Sequence, residues 1–526
     1  MCPQPDELDE IGAVPGLGNR LLRVDPASGG LSLSGSLQKG LAAVATEMYY
    51  LGRRFRYLNV ATKCRGPNHL NSTYTQGRSR IGLTITRPQK AGQWVMEFPN
   101  FYSTALTGEA GPGAAATINA AFEYPRGTLN QLTFGGSVTG TIPDNGRLQC
   151  DPINVDIPVG GVRVRVETFI QCSGGIVSAY GAQGQLDTTT TGDNMQLATS
   201  GLTNTTMTLN QAITNTVGAQ GYGPCAVLGW TDTVSVFANG DSLTRGTGDS
   251  GYAQASYLGE EDFDGQVGLV ERSLGRQCAY IQCGTGGETA QAFAAGAASY
   301  YANRVALAQY CSHQLLGYSH NDLNAGRTSA QLIADVNSIT DIIGLPTFAW
   351  TAVPVYPTST DGFTTYAGQT ASSTNVQRVA YNSALRYGQV SKLAGVFDVA
   401  RFVEAAKDSG VWKTSPTGRV VTDGVATATS KTINSASAAF TPSDLGSILY
   451  FGGAGAAGGN LTQFITKINS ATSVDVFSPA GTTVASGGTI RIGYNQFTTD
   501  GIHPYTIGIQ SVVDSRVIDV RRMQSA

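Results

Sequence analysis

The chain has 526 residues, more than one hydrophobic core usually serves, so two to four domains are expected. Only 13% of residues are charged and 66 are glycine, a balance that favours short strands and loops over long amphipathic helices. A hydrophobic fraction of 41% excludes wholesale disorder. The net charge of -3, with no basic block, gives a nucleic-acid surface no support, and no apolar run approaches the ~18 residues of a membrane span.

In chain order, residues 1–40 read as a polar arm with one or two turns. Met1–Arg20 is acidic and broken by Pro and Gly, without the basic-then-apolar pattern of a secretory signal. Synthesis in the cytoplasm is therefore expected, with any release by a route such as lysis. Leu37–Leu58 carries apolar residues at mixed helical spacing and is expected to hold a short helix. From Ser79 the pattern alternates: RIGLTITRP, QWVMEF, NQLTFGGSVTGTI and GVRVRVETFI read as strands between Gly, Pro and Asn turns. Residues 41–228 are expected to form a β-sandwich or jelly roll.

After Thr233 strands alternate with helices. A strand leads into Asn239-Gly240-Asp241-Ser242, and AYIQCG (Ala279–Gly284) is a second strand. Glu288–Tyr310 reads as one helix. HQLLGYS is a short strand, SAQLIADVNSITDIIG an amphipathic helix, PTFAWTAVPV a strand, STNVQRVAYNSALRYGQVSK a helix, and LAGVFDVARFV a strand. This rhythm predicts an α/β domain, a parallel sheet with helices on both faces. It is interrupted over residues 412–493, a run of short strands with Gly, Ser and Thr turns that reads as a small inserted all-β module. The α/β pattern resumes over 494–526 with FTTDGIHP and a terminal helix. The α/β domain thus has two parts, 229–411 and 494–526.

Eight cysteines (Cys2, Cys64, Cys150, Cys172, Cys225, Cys278, Cys283, Cys311) form no CxxC pair, and there are only four histidines. A zinc site has little support, and buried free thiols are expected. The spacing of Cys278 and Cys283 leaves a pairing conceivable. No cofactor or metal is implied.

Gly-Asp-Ser alone is a common turn. Ser242 gains weight because it follows a β run, where a strand-to-helix turn exposes a nucleophile beside backbone N–H groups. A serine nucleophile needs a base. His503 lies three residues after Asp500, so an imidazole can take the serine proton while a carboxylate orients the ring. Oxyanion donors are offered by Gly286-Gly287 and by the Asn321 amide, each after a strand, and such loops converge at the carboxyl edge of an open α/β sheet.

These segments, in this order, resemble the SGNH (GDSL) hydrolase family. Gly240-Asp241-Ser242-Leu243 matches its first block, GGETA its glycine block, Ser319-His320-Asn321-Asp322 its Gly-x-Asn-Asp block, and Asp500-Gly501-Ile502-His503 its Asp-x-x-His block. The resemblance covers about Thr233–Val411 and Tyr494 to the end. It implies a serine esterase with Ser242, Asp500 and His503 as catalytic residues and an oxyanion hole from Ser242, Gly287 and Asn321. Two positions depart from the pattern: Ser319 stands where the family has glycine, and Glu288 where it has aspartate. His320 is read as a bystander, because no carboxylate sits at a matching orienting position.

Phe440–Phe477 is similar to repeats of bacteriophage tail proteins, and the β region around MEFPNFYSTA looks like domains that precede such esterases. The resemblance implies a phage or prophage tail component acting on an acylated polysaccharide, virion-associated or released by lysis, and a homo-oligomer, a trimer, although no heptad repeat is present. Trp94, Phe98, Phe101, Tyr102, Tyr124 and Trp412 are weighed as sugar-stacking residues against a core role. Three readings compete: a carbohydrate O-acyl esterase, a general esterase or lipase, and a non-catalytic glycan-binding tail protein. The joint presence of Ser242, Asp500, His503 and Asn321 argues against the last.

Overall fold

The computed structural model describes residues 9–12, 22–24, 31–33 and 56–524, apart from 106, 181–192, 218–219, 250–266, 276, 297–300, 364, 415–417, 446, 494–496 and 499. The chain divides into two compact units, residues 1–57 with 230–232, and residues 58–229 with 233–526. In the first, Asp9–Gly12, Leu22–Val24 and Leu31–Leu33 form a small antiparallel sheet, where the sequence suggested only turns. Of the helix expected over Leu37–Leu58, residues 37–55 lie outside the described residues, and its end, Arg56–Asn59, is a strand.

The second unit begins with antiparallel sheets. The larger runs in the order Leu129–Gln131, Ala116–Glu123, Val162–Gln171, Gln76–Ile85, Asn194–Ala198. Val164 and Val166 are buried while Arg163 and Arg165 take the other face, the period-2 pattern that specifies register. That register sets Arg80 opposite Glu167, and the two form a buried ion pair. A further sheet pairs Val95–Asn100 with Gly146–Gln149 and, through Val95–Glu97, with Ala226, Val227 and Leu228. Trp94, next to it, meets Phe122 of the larger sheet edge to face at 5.4 Å. Trp94, Phe98, Phe101 and Trp412 are all fully buried. A core role, not sugar stacking, is therefore theirs.

The α/β expectation is met by a six-stranded, all-parallel sheet. Its order is Leu393–Phe397, Thr347–Trp350, His313–Gly317, Ser235–Gly240, Ala279–Gln282, Cys64–Arg65. The last, an edge strand, comes from the N-terminal β region. Ser235–Gly240 is buried at every position, as a strand covered on both faces must be. One face, through Val236, Ala238, Tyr280, Leu315 and Phe348, shares a core with Leu269, Val270 and Leu274 and with Val512, Ile518, Val520 and Met523. The alternate residues Phe237, Ile281 and Leu316 are buried on the other face.

Ser329–Ile343 shows why these helices form. Thr328 and Gln331 close a capping box at its start, satisfying N–H groups that otherwise lack partners. Leu332, Val336, Ile339 and Ile343 fall on one stripe and are buried, each contributing about 2 kcal/mol of transfer free energy. The helix expected over Glu288–Tyr310 is instead two, Ala290–Gly296 and Ala302–Ala308. Glycine is a poor residue for the helix interior, and Tyr301, at φ -128°, is not helical.

Where the inserted all-β module was expected, six strands between Arg419 and Ile492 close into a barrel. Its interior holds Val421, Ile433, Leu449, Phe451, Ile465, Val474 and Ile490. Among the described residues no helix is long and apolar enough to cross a membrane.

Candidate active site

The parallel strands place their following loops along one edge of the sheet. After Gly240 the chain turns at once into the one-turn helix Ser242–Arg245. Asp241 is its N-cap: Oδ1 accepts from the Leu243 N–H at 2.9 Å, which fixes the turn that presents Ser242. Burial pushes the Asp241 carboxyl up to about 8, and the nearby carboxylates of Asp322 and Glu288 push the same way.

The loop carrying Asp500 and His503 precedes the helix Thr506–Ser515. His503 Nε2 lies 2.9 Å from Ser242 Oγ, and His503 Nδ1 lies 2.7 Å from Asp500 Oδ2. The second carboxylate oxygen, Oδ1, accepts from the backbone N–H groups of Ile502 and His503, both at 2.8 Å, and from Thr498 Oγ1 at 3.2 Å. Burial opposes the charge on Asp500, but the bonds from the His503 ring and from these backbone N–H groups outweigh it and hold the carboxyl well below the usual range. Gly248, still within the nucleophile segment, lets the histidine approach: a Cβ there would lie 2.8 Å from His503 Cβ.

Gly287 lies in the loop after Ala279–Gln282. Glu288 N–H donates to the Thr285 carbonyl at 3.2 Å, closing a four-residue turn whose third residue, Gly287, has φ +81°, as a type II turn requires. Asn321 follows His313–Gly317. It lies in the short helix His320–Asn324, and its Nδ2 donates to the Glu288 carbonyl at 3.0 Å, which ties that helix to the Gly287 loop and fixes the amide rotamer. One of the two amide hydrogens is used in that bond, and the second has no partner among the described residues. Asp322 accepts from the N–H groups of Ala290 and Gln291, capping the helix between the two loops.

Three of the five expected residues, Ser242, His503 and Asp500, are therefore joined by hydrogen bonds. Asn321 is joined to the Gly287 loop through the Glu288 carbonyl. His320 is 1% exposed, and burial, followed by the charge of His503, lowers its pKa to about 3. It is neutral, and it is His503 that Ser242 contacts.

Sequence reasoning missed what holds the glycine loop. Glu288 pairs with Arg304 through two bonds of 2.7 and 2.9 Å, both side chains being fully buried. Tyr318 Oη donates to the same carboxylate at 2.5 Å. Arg304 in turn lies over the rings of Tyr301 at 4.4 Å and Phe293 at 4.9 Å. The signal that marks it is Glu288 itself, which stands where the resembled pattern has aspartate and whose carboxylate reaches this arginine.

The seven cysteines among the described residues are all free and buried, and Cys278 and Cys283 are not joined; Cys2 lies outside the described residues. Burial pushes the thiols of Cys283 and Cys311 up to about 12, so neither is a thiolate nucleophile. Among the described residues no group of three His, Cys, Asp or Glu side chains is arranged to hold a metal ion.

No protein-family model matches the chain, and no curated protein matches it. Solved structures that are similar include a member of the lipolytic protein G-D-S-L family from Veillonella parvula (15% identity, 32% of this chain and 79% of that one, TM-score 0.21). Another is the lipase Lip_vut3 from a goat rumen metagenome (13% identity, 33% and 85%, TM-score 0.22). A third is a variant of an acetyl-xylooligosaccharide esterase from Geobacillus stearmophilus (11% identity, 32% and 76%, TM-score 0.20). All three are alike over about a third of this chain at low identity.

Proposed function

We propose that this chain is a serine ester hydrolase that removes O-acyl groups, chiefly O-acetyl, from a polysaccharide, as part of a phage or prophage tail. The relay from Ser242 Oγ through His503 to Asp500, at 2.9 and 2.7 Å, carries the hydrolase reading. The polysaccharide and the tail rest on the resemblance of Phe440–Phe477 to tail repeats, and so does a homotrimeric state.

In this reading Ser242 Oγ attacks the ester carbonyl while its proton passes to His503 Nε2. Asp500 keeps the other ring proton on Nδ1 and stabilises the imidazolium. The oxyanion is met by the backbone N–H groups of Ser242 and Gly287 and by the second amide hydrogen of Asn321. Collapse breaks the ester C–O bond, and the leaving alcohol takes the proton from His503. Water then adds to the acyl-serine, His503 accepts its proton, and that proton returns to Ser242 Oγ as the carboxylic acid leaves.

The test is Ser242→Ala, assayed on p-nitrophenyl acetate and, by mass spectrometry, on acetylated polysaccharides. Loss of hydrolysis with an unchanged melting curve is expected. A folded variant that cleaves at the wild-type rate would overturn the mechanism. A clear preference of the wild type for decanoate over acetate would overturn the acetyl assignment alone.

A further inference from the structure

The hydrogen bonds inside the Asp500–His503 loop fix its shape, while its place beside Ser242 depends on what it leans against. Gly501 is the point of contact. At φ +75°, a Cβ there would lie 2.6 Å from the Phe363 ring and 2.8 Å from the Pro357 carbonyl. Its own carbonyl accepts from the indole Nε1–H of Trp412 at 3.0 Å.

Trp412 is unusually well fixed. It is fully buried, in a core shared with Phe363, Phe397 and Val403. Gln369 grips its backbone from both sides, accepting from Trp412 N at 2.9 Å and donating to Trp412 O at 3.0 Å. Trp412 also bridges Glu404, and Glu404 is held by a buried ion pair with Arg378. A side chain with one rigid ring, one donor and an immobilised backbone defines a fixed point.

We propose that Trp412 is a positioning residue for the base: its indole N–H holds the Gly501 peptide so that His503 Nε2 stays within hydrogen-bond reach of Ser242. This rests on the reading of His503 as general base. The position of Trp412 gives the bond a second meaning. Trp412 lies on the connector into the barrel, which begins at Arg419, and Gly501 lies on the connector out of it, after Ile492. The bond ties the entrance of the insertion to its exit, at the residues that carry the chemistry.

Trp412→Phe keeps the aromatic bulk and removes the donor. Its thermal melt, its kcat and KM on p-nitrophenyl acetate, and the amide hydrogen exchange of residues 498–505 are compared with wild type. Below the melting transition we expect faster exchange in that segment, KM within about twofold, and kcat lower by about tenfold or more, toward the ~100-fold that a 1 Å misplacement can cost. Unchanged exchange, or faster exchange with unchanged kcat, would overturn the proposal. Should the wild type fail to hydrolyse esters, the hydrolase reading falls by itself, and exchange alone decides whether Trp412 anchors the loop. Should Trp412→Phe not fold, Gln369→Leu removes the two bonds that fix the Trp412 backbone and so loosens the anchor while sparing the indole. Faster exchange with lower kcat then supports the anchor, and wild-type values for both refute it.

Discussion

Replacing Asp500 with Asn changes one atom of the carboxylate and separates its two tasks. Oδ1 receives the Ile502 and His503 N–H groups at 2.8 Å and Thr498 Oγ1 at 3.2 Å. An amide oxygen in that place keeps all three bonds, so the loop is expected to hold its shape. The amide nitrogen then occupies the place of Oδ2, 2.7 Å from His503 Nδ1. Two N–H donors cannot share that contact, so the ring proton moves to Nε2. Nε2–H then points at Ser242 Oγ and cannot accept its proton. The wrong tautomer lowers kcat by about 10⁴-fold in the serine-protease case, which corresponds to about 5.4 kcal/mol of barrier. The assay is kcat for p-nitrophenyl acetate beside a thermal melt. A variant that melts like the wild type yet keeps more than a tenth of its kcat would refute the reasoning.

Two further predictions concern the buried groups around the nucleophile. Burial raises the Asp241 carboxyl to about 8, against roughly 3.9 when unfolded. Between those values the native state holds a proton that the unfolded state releases, so this group makes stability fall as pH rises from about 4 to 8. Asp241→Asn keeps the cap on Leu243 and should flatten the dependence of the melting temperature on pH in that window; an unchanged slope would contradict the assignment. Glu288→Ala leaves Arg304 charged and buried without its principal partner, which should cost about 3–5 kcal/mol in urea denaturation, and a loss below about 1 kcal/mol would show that Arg304 is held by its stacked rings instead.

The parallel sheet was legible because its strands are nearly continuous apolar runs broken by Gly and polar loops. The Ser242, Asn321 and Asp500–His503 segments were legible because each falls where a strand ends or a terminal helix begins. Contacts between distant residues were not. Cys64–Arg65 is too short to carry a period, and its place at the sheet edge follows from pairing with Ile281 and Gln282. Composition made Trp94, Phe98, Phe101 and Trp412 possible sugar platforms, but burial is a property of the fold and assigns them to the core. The bond from Trp412 to Gly501 spans 89 residues, across a barrel that sequence reading could only treat as an interruption. Its role is invisible until both connectors are seen together.

The Cys64–Arg65 strand also limits how the molecule can be divided. A recombinant chain beginning at Thr233 keeps Ser242, Asn321, Asp500 and His503 but loses the outer partner of Ala279–Gln282. The bond from Gly66 N to the Gln282 carbonyl, the bond from Asn68 Nδ2 to the Gly284 carbonyl and the Arg65–Glu271 pair go with it. The bared edge is a row of unpaired N–H and C=O groups, a template for aggregation, and Glu271 becomes a buried charge without its partner. The smallest heritable piece that keeps this site intact therefore includes a strand that lies over 150 residues before Ser242, counting from Arg65. Recombination that exchanged only the α/β segment would deliver Ser242, Asn321, Asp500 and His503 on a sheet that lacks its own edge strand.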